Sequence, residues 1–241
     1  MAIAFEGVVS GRAVNGGTIT LVIPASAAVI GNCAVVSVMF GTSRTPTLSV
    51  VSSTGISYTQ ITATTTSSYA RVGTFRRIFA STGEVTLTIA GNAIATDGLT
   101  GIAEVFSGVD TTTPEDVTAV STIGTGTTPT SASITVVSCG CAIISAFGAR
   151  VVDVSVTAPT SFLDARSTAS NETNGASAGF AWITNSSTSA YAPTSWTGLT
   201  SASWVATTVA LRPIAAETFT WQDLSGFAQV TNFRGFDVVG Y

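Results

Sequence analysis

Residues Glu84–Ala90 read EVTLTIA, with Val85, Leu87 and Ile89 on one side and Thr86 and Thr88 on the other. A period of two marks a β-strand buried on one face. The chain returns to this kind of segment throughout and offers no long apolar stripe of helical period with charge opposite it. Strands are predicted at Thr18–Ile23, Asn32–Phe40, Tyr69–Phe79, Glu84–Ala90 and Gly101–Phe106. A second group is predicted at Ser133–Val137, Gly140–Phe147, Ala178–Thr184 and Ser203–Leu211. Asn32–Phe40 is almost continuously apolar, as suits a central strand covered on both faces. Clusters of Gly, Pro, Asn and Asp separate the segments at about 8–12 residues, the spacing of sandwiches and barrels. The expected fold is all-β: a jelly-roll-like two-sheet sandwich. Val120–Ser131 and Ser167–Ala178 read as polar surface loops, the first linking two halves.

The halves resemble each other. Cys33–Phe40 (CAVVSVMF) aligns with Cys141–Phe147 (CAIISAF), and Gly98-Leu99-Thr100 with Gly198-Leu199-Thr200. This suggests a weak internal two-fold repeat, with halves at about 15–115 and 130–213, that builds one sandwich over residues 1–213. In that alignment Glu104 falls opposite Trp204. Chance likeness between strands made of Ala, Val, Ile and Ser is the competing explanation.

Composition narrows the chemistry. The 241 residues include nine Arg, no Lys, no His and 13 acidic groups, a net charge of −4. Charged residues make up 9%, and Ser and Thr supply 70 positions. Without His or Lys, a Ser or Cys nucleophile has no ordinary base. The commonest metal ligand is missing too. A nucleic-acid partner is not expected, because nothing here neutralises a run of phosphates. No apolar run is long enough for a membrane helix, so no membrane partner is expected either. Met1–Gly7 lacks the features of a secretory signal.

The remaining constellations have ordinary structural readings. Cys33, Cys139 and Cys141 are an odd set without a fourth zinc ligand, and read as free cysteines. Asp110–Asp116 (DTTTPED) could collect oxygens around calcium, but a Pro-containing turn explains it as well. Glu84, Glu104, Asp153, Asp164 and Glu172 are the candidates for a carboxylate pair of the glycosidase type. Glu104 stands mid-strand and is expected to face solvent or pair with Arg. Arg76-Arg77 is too small for a nucleic-acid patch and reads as an ion-pair or interface doublet. No catalytic residue, metal or cofactor is assigned, and no enzyme activity is expected.

Aromatic residues stand out in two places. Trp182, Tyr191, Trp196 and Trp204 fall in the second half, where Trp182, Tyr191 and Trp196 could form a sugar-stacking platform or fill the core. Segment 214–241 holds Phe219, Trp221, Phe227, Phe233, Phe236 and Tyr241, six of the chain's 20 aromatic residues. That density suits a packing segment on its own sandwich or a C-terminal arm docked on a neighbour.

The order GNCAVVSVMF, YARVGTFRRIF, EVTLTIAGN, GIAEVFSGVDTTTPED and SWVATTVALRP resembles a group of bacteriophage and prophage β-sandwich proteins. Gly108-Val109-Asp110-Thr111-Thr112 and the stretch from Trp204 to Pro213 carry most of the likeness, which covers about residues 15–213. The resemblance implies a virion component, such as a capsid cement (decoration) protein or a tail-associated module. A cement protein would bridge major capsid subunits on the outer capsid surface, commonly as a homotrimer, after assembly in the host cytoplasm. Its partners would be the major capsid protein and further copies of itself. The alternative is a glycan- or receptor-binding module of a tail fibre or adhesin.

Overall fold

The computed structural model describes residues 2–13, 17–42, 47–62, 65–67, 69–91, 97–151, 155–170 and 174–215. Among them are sixteen strands and no helix. The strands are β1 (Ala4–Ala13), β2 (Ile19–Val22), β3 (Cys33–Gly41), β4 (Ser49–Ser52), β5 (Thr59–Gln60), β6 (Thr65–Ser67), β7 (Ala70–Ile78) and β8 (Thr86–Ala90). They continue as β9 (Gly98–Ser107), β10 (Glu115–Gly126), β11 (Ile134–Thr135), β12 (Cys141–Ala149), β13 (Leu163–Ala169), β14 (Ser177–Asn185), β15 (Ala190–Tyr191) and β16 (Ala202–Leu211).

Two large antiparallel sheets form the body. The first runs β1-β9-β3-β7-β5, with β6 also paired to β7, and the second runs β10-β16-β12-β14-β13. The fold is therefore an all-β sandwich. Between the sheets lies a shared core that includes Val35, Met39, Ile102 and Phe106 from one and Ile144, Phe180, Val205 and Val209 from the other. The outer face of the first sheet is closed by a small sheet, β2-β8-β4, through Ile19, Leu21, Val50, Leu87 and Ile89. The outer face of the second is closed by the β11-β15 ribbon and by loop residues around Trp196. With apolar cover on both sides, β3 and β12 have no exposed residue, which explains their near-continuous apolar sequences.

Glycines let the sheets meet at one end. A Cβ on Gly41 would strike the carbonyl oxygens of Asn174 and Gly175, and one on Gly98 would strike Ser170 and the Asn174 carbonyl. Gly41 and Gly98 are ladder partners in β3 and β9. The backbone of the first sheet thus rests on the turn before β14.

Three expectations need correction. Val120–Ser131 is not a loop along its whole length, because β10 runs to Gly126 and pairs with β16 from Val120↔Thr208 to Gly126↔Ala202. Threonine favours strands, and an edge strand needs no apolar alternation. Gly124 within it leaves room for the Trp204 indole, which any side chain there would strike. Likewise, Ser167–Ala169 closes β13 and Ser177–Ala178 opens β14, so the second expected loop is shorter than drawn.

The third correction concerns phase. The strand orders β1-β9-β3-β7 and β10-β16-β12-β14 run alike, but the aligned residues do not share a layer. Cys33, Val35 and Met39 face the inter-sheet core, whereas Cys141, Ile143 and Phe147 face the outer layer. The residues of β12 that face the inter-sheet core are Ala142, Ile144 and Ala146. A one-residue offset inverts every side chain of a strand. Glu104 and Trp204 are likewise not equivalent. Glu104 stands opposite Val35 within β9, while Trp204 packs in an outer cluster and pairs with Ala149.

Candidate functional site

The buried charges come first, since they would carry any chemistry. Glu84 is fully buried and held by Arg77, whose Nε donates to Oε2 at 2.8 Å and Nη2 to Oε1 at 3.1 Å. The Ala80 amide also donates to it. The Arg77 hydrogen bonds keep the Glu84 carboxyl below the usual range. Adjacent strand residues face opposite ways, so Arg76 turns from Arg77 toward the second sheet and pairs with Glu115 there.

Asp116 is buried at the start of β10. Burial pushes its carboxyl up, but hydrogen bonds from Ser138 and Val137 outweigh this and leave it below the usual range. The Val137 amide donates to Oδ2 at 2.6 Å, and Arg212 approaches Oδ1 at 3.4 Å. Asp110 accepts from the Thr112 and Thr113 amides at 2.8 and 3.0 Å. The DTTTPED motif is thus a turn-forming aspartate followed by a strand-anchoring one.

Glu104 departs from expectation. It is fully buried, faces the inter-sheet layer, and neither carboxyl oxygen has a hydrogen-bond partner. Burial pushes its pKa up to about 9, nearby Asp164 adds to this, and Arg166 opposes it. The group is therefore neutral at pH 7. Having no exposed surface, it presents nothing to a substrate. Asp153 and Glu172 lie outside the described residues.

The cysteines do not converge. Cys33 belongs to the inter-sheet core and Cys141 to an outer cluster, while Cys139 is exposed. Burial pushes the Cys33 and Cys141 thiols up to about 12. Among the described residues no group of three or more Cys, Asp or Glu side chains is placed to hold a metal ion.

Of the three aromatic candidates for sugar stacking, Trp182 lies between the two sheets, whereas Trp196 and Tyr191 lie on the outer face of the second. Trp182 packs in the inter-sheet core, stacked on Phe5 at 6.2 Å and edge-on to Phe106 at 5.5 Å. Trp196 has no exposed surface and donates from Nε1 to Ser145 Oγ at 2.9 Å. Tyr191 is half-buried against Phe162. Trp182 and Trp196 are core residues, so the three form no open platform. Trp196 follows the usual core solution of a buried ring with a hydrogen bond for its polar tip, while the Trp182 Nε1 is buried without a partner. Phe219, Trp221, Phe227, Phe233, Phe236 and Tyr241 lie outside the described residues.

Among the described residues, two surface grooves stand out. One groove, of about 430 Å³, is lined by Thr59, Gln60, Ile61, Arg76, Glu115 and Val117–Ala119. It sits at the seam between β5 and the start of β10. The second, of about 390 Å³, is formed by Asp110, Ser138, Cys139, Arg212, Pro213, Ile214 and Ala215. The seam groove went unnoticed in the sequence; its one signal was the Arg76-Arg77 doublet, whose two guanidinium groups must serve opposite faces.

Comparison with protein-family models, with curated proteins and with solved structures finds no match.

Proposed function

We propose that this chain is a structural assembly protein of a virion, a capsid cement protein that bridges major capsid subunits of a phage head. The observation that carries the reading is the disposition of charge. Glu84 and Asp116 are buried with arginine partners, Glu104 is buried and neutral, and Arg76 is paired with Glu115. The strands meet solvent largely through Ser, Thr and Ala, a surface that can be covered by a neighbour with little charge to desolvate. A rigid body of this kind suits stitching, where one particle contacts several shell subunits and modest contacts add through multivalency. Copies of the chain arranged about a symmetry axis of the shell would present the same surface to each subunit. The aromatic residues of 216–241 supply anchors for such contacts.

Copy number tests this. Quantitative mass spectrometry of purified virions should find hundreds of copies per particle. A count of a few per particle points to a tail component and ends the cement reading.

A further inference from the structure

The three cysteines share no site, but two of them share a turn. Cys139 and Gly140 form the turn that leads into β12, whose first residue is Cys141. The turn is fastened on both sides of Cys139. Asp116 accepts from the Val137 and Ser138 amides at 2.6 and 3.2 Å, and the Gly140 amide donates to the Asn185 carbonyl at 2.8 Å.

The two thiols have different surroundings. Cys139 is exposed and lines the groove of about 390 Å³ together with Asp110, Ser138 and Arg212, so a dissolved reagent reaches it. Cys141 has no exposed surface, and its Sγ donates to the Ser138 carbonyl at 3.0 Å. That oxygen belongs to the same planar peptide as the Cys139 nitrogen. The Cys141 sulfur therefore lies against the main chain of Cys139.

Chain geometry permits a bond between them. Two residues of chain span about 7 Å at most, and a turn with Gly140 at φ 80° draws its ends closer than that. Disulfides bridge Cα atoms about 4.4–6.8 Å apart. Glycine adopts the left-handed conformation without strain. What remains is a rotation of the Cys139 side chain from the groove toward Cys141.

We propose that Cys139 and Cys141 are a reactive dithiol, in which Cys139 is modified by a small disulfide such as oxidised glutathione and Cys141 resolves the adduct into an intrachain disulfide. The Cys139 thiolate attacks one sulfur of the small disulfide, and one glutathione leaves as thiolate. Cys141 then gives up its proton and attacks the Cys139 sulfur, and the second glutathione leaves. Two protein thiols are oxidised, and one glutathione disulfide is reduced to two thiols. Burial sets the order. Cys141 cannot meet the reagent, and its thiol is pushed up to about 12, so its attack is the slow step and the adduct accumulates first. The bond stays reducible. A loop with one intervening residue gains little from cross-linking, and oxidation removes the S–H that Cys141 donates to Ser138.

The test incubates the folded full chain with oxidised glutathione, quenches in acid and maps the cysteines by mass spectrometry. An adduct on Cys139 should rise first, then give way to a peptide holding Cys139 and Cys141 that is two hydrogens lighter. Cys141→Ala, a small apolar replacement in an apolar cluster, should stop at the adduct and retain about tenfold more of it at late times. Cys139→Ser should leave Cys33 and Cys141 as free thiols. Dithiothreitol should return the oxidised wild type to three thiols. A wild-type adduct as persistent as that of Cys141→Ala, a Cys139 that stays unmodified, or ready reaction of Cys141 in Cys139→Ser would overturn the proposal. The wild-type time course decides the matter by itself if Cys141→Ala fails to fold.

Discussion

The two large sheets share a strand order but are finished differently. The first sheet is sealed by another sheet, whose Leu21, Leu87 and Ile89 spread the contact over several strands. The second is sealed by a two-stranded ribbon and by Trp196, which reaches its place from a loop. There the indole depends on a short polar chain, Trp196 to Ser145 to Ser131, with the hydroxyls 2.8 Å apart. A strand-built cover distributes its energy, while a loop-built cover concentrates it in one side chain. The buried carboxylates differ in the same manner. Glu84 beside the first sheet relies on two hydrogen bonds from Arg77, while Asp116 in the second takes its hydrogen bonds mainly from backbone amides.

The sharpest way to break this comparison is to remove one side chain from each cover. Trp196→Ala should destabilise by about 4 kcal/mol, the upper range for emptying a large core site. Leu87→Ala should cost about 2.5 kcal/mol. Equal losses in denaturant titrations would show that the covers are alike. Next come the two arginines. Arg77→Met strands a buried carboxylate and should cost about 3 kcal/mol, whereas Arg212→Met should cost about 1 kcal/mol because the amides still hold Asp116. A reversed order would mean that Arg212, not the backbone, stabilises Asp116.

The remaining effect, visible only through pH, concerns Glu104, which has no charged partner of the kind Arg77 gives Glu84. Folding raises its pKa from 4.5 to about 9. The folded protein therefore holds a proton that the unfolded chain releases above pH 4.5. The associated stability is complete below that pH and is lost as pH rises toward 9. Glu84 and Asp116, both depressed, act the other way and lose their contribution as pH falls through their folded values. Thermal stability should peak near pH 4–5. Glu104→Gln should stabilise by about 2 kcal/mol at pH 8, less than the full ionisation cost because the amide is also unpartnered, and by almost nothing at pH 4. A pH-independent gain would mean that Glu104 is already charged when folded.

Which of these features could be read beforehand follows from what each depends on. The strands β3, β8 and β12 were legible because cover on one or both faces writes itself into the sequence as alternation or a continuous apolar run. β10 was not, since a strand paired on one side and half-exposed needs only threonine and room, and its glycines looked like loop residues. The strand order common to both sheets left a trace in Cys33–Phe40 and Cys141–Phe147, but not its phase. Which face a residue takes is decided by the layer stacked above it, and that layer comes from residues far away in the chain. Glu104 failed for the same reason: its neighbours in sequence show a strand, while its burial comes from the opposing sheet. The seam groove lies where β5 meets the start of β10, and a meeting of segments far apart in the chain leaves no mark in either.

The glycine contact between the sheets has a consequence for descent. Apolar strand residues can be exchanged for one another, so a lineage can lose nearly all resemblance in β3 and β9 and keep its core. Gly41 and Gly98 have no such freedom, because any side chain at either position must displace the backbone of the turn before β14. The two stand opposite each other across one ladder, at the end of one strand and the start of another. That pair, read together with Asn174-Gly175 in the turn it meets, is the part of this chain that a distant relative with the same sheet spacing must still spell out.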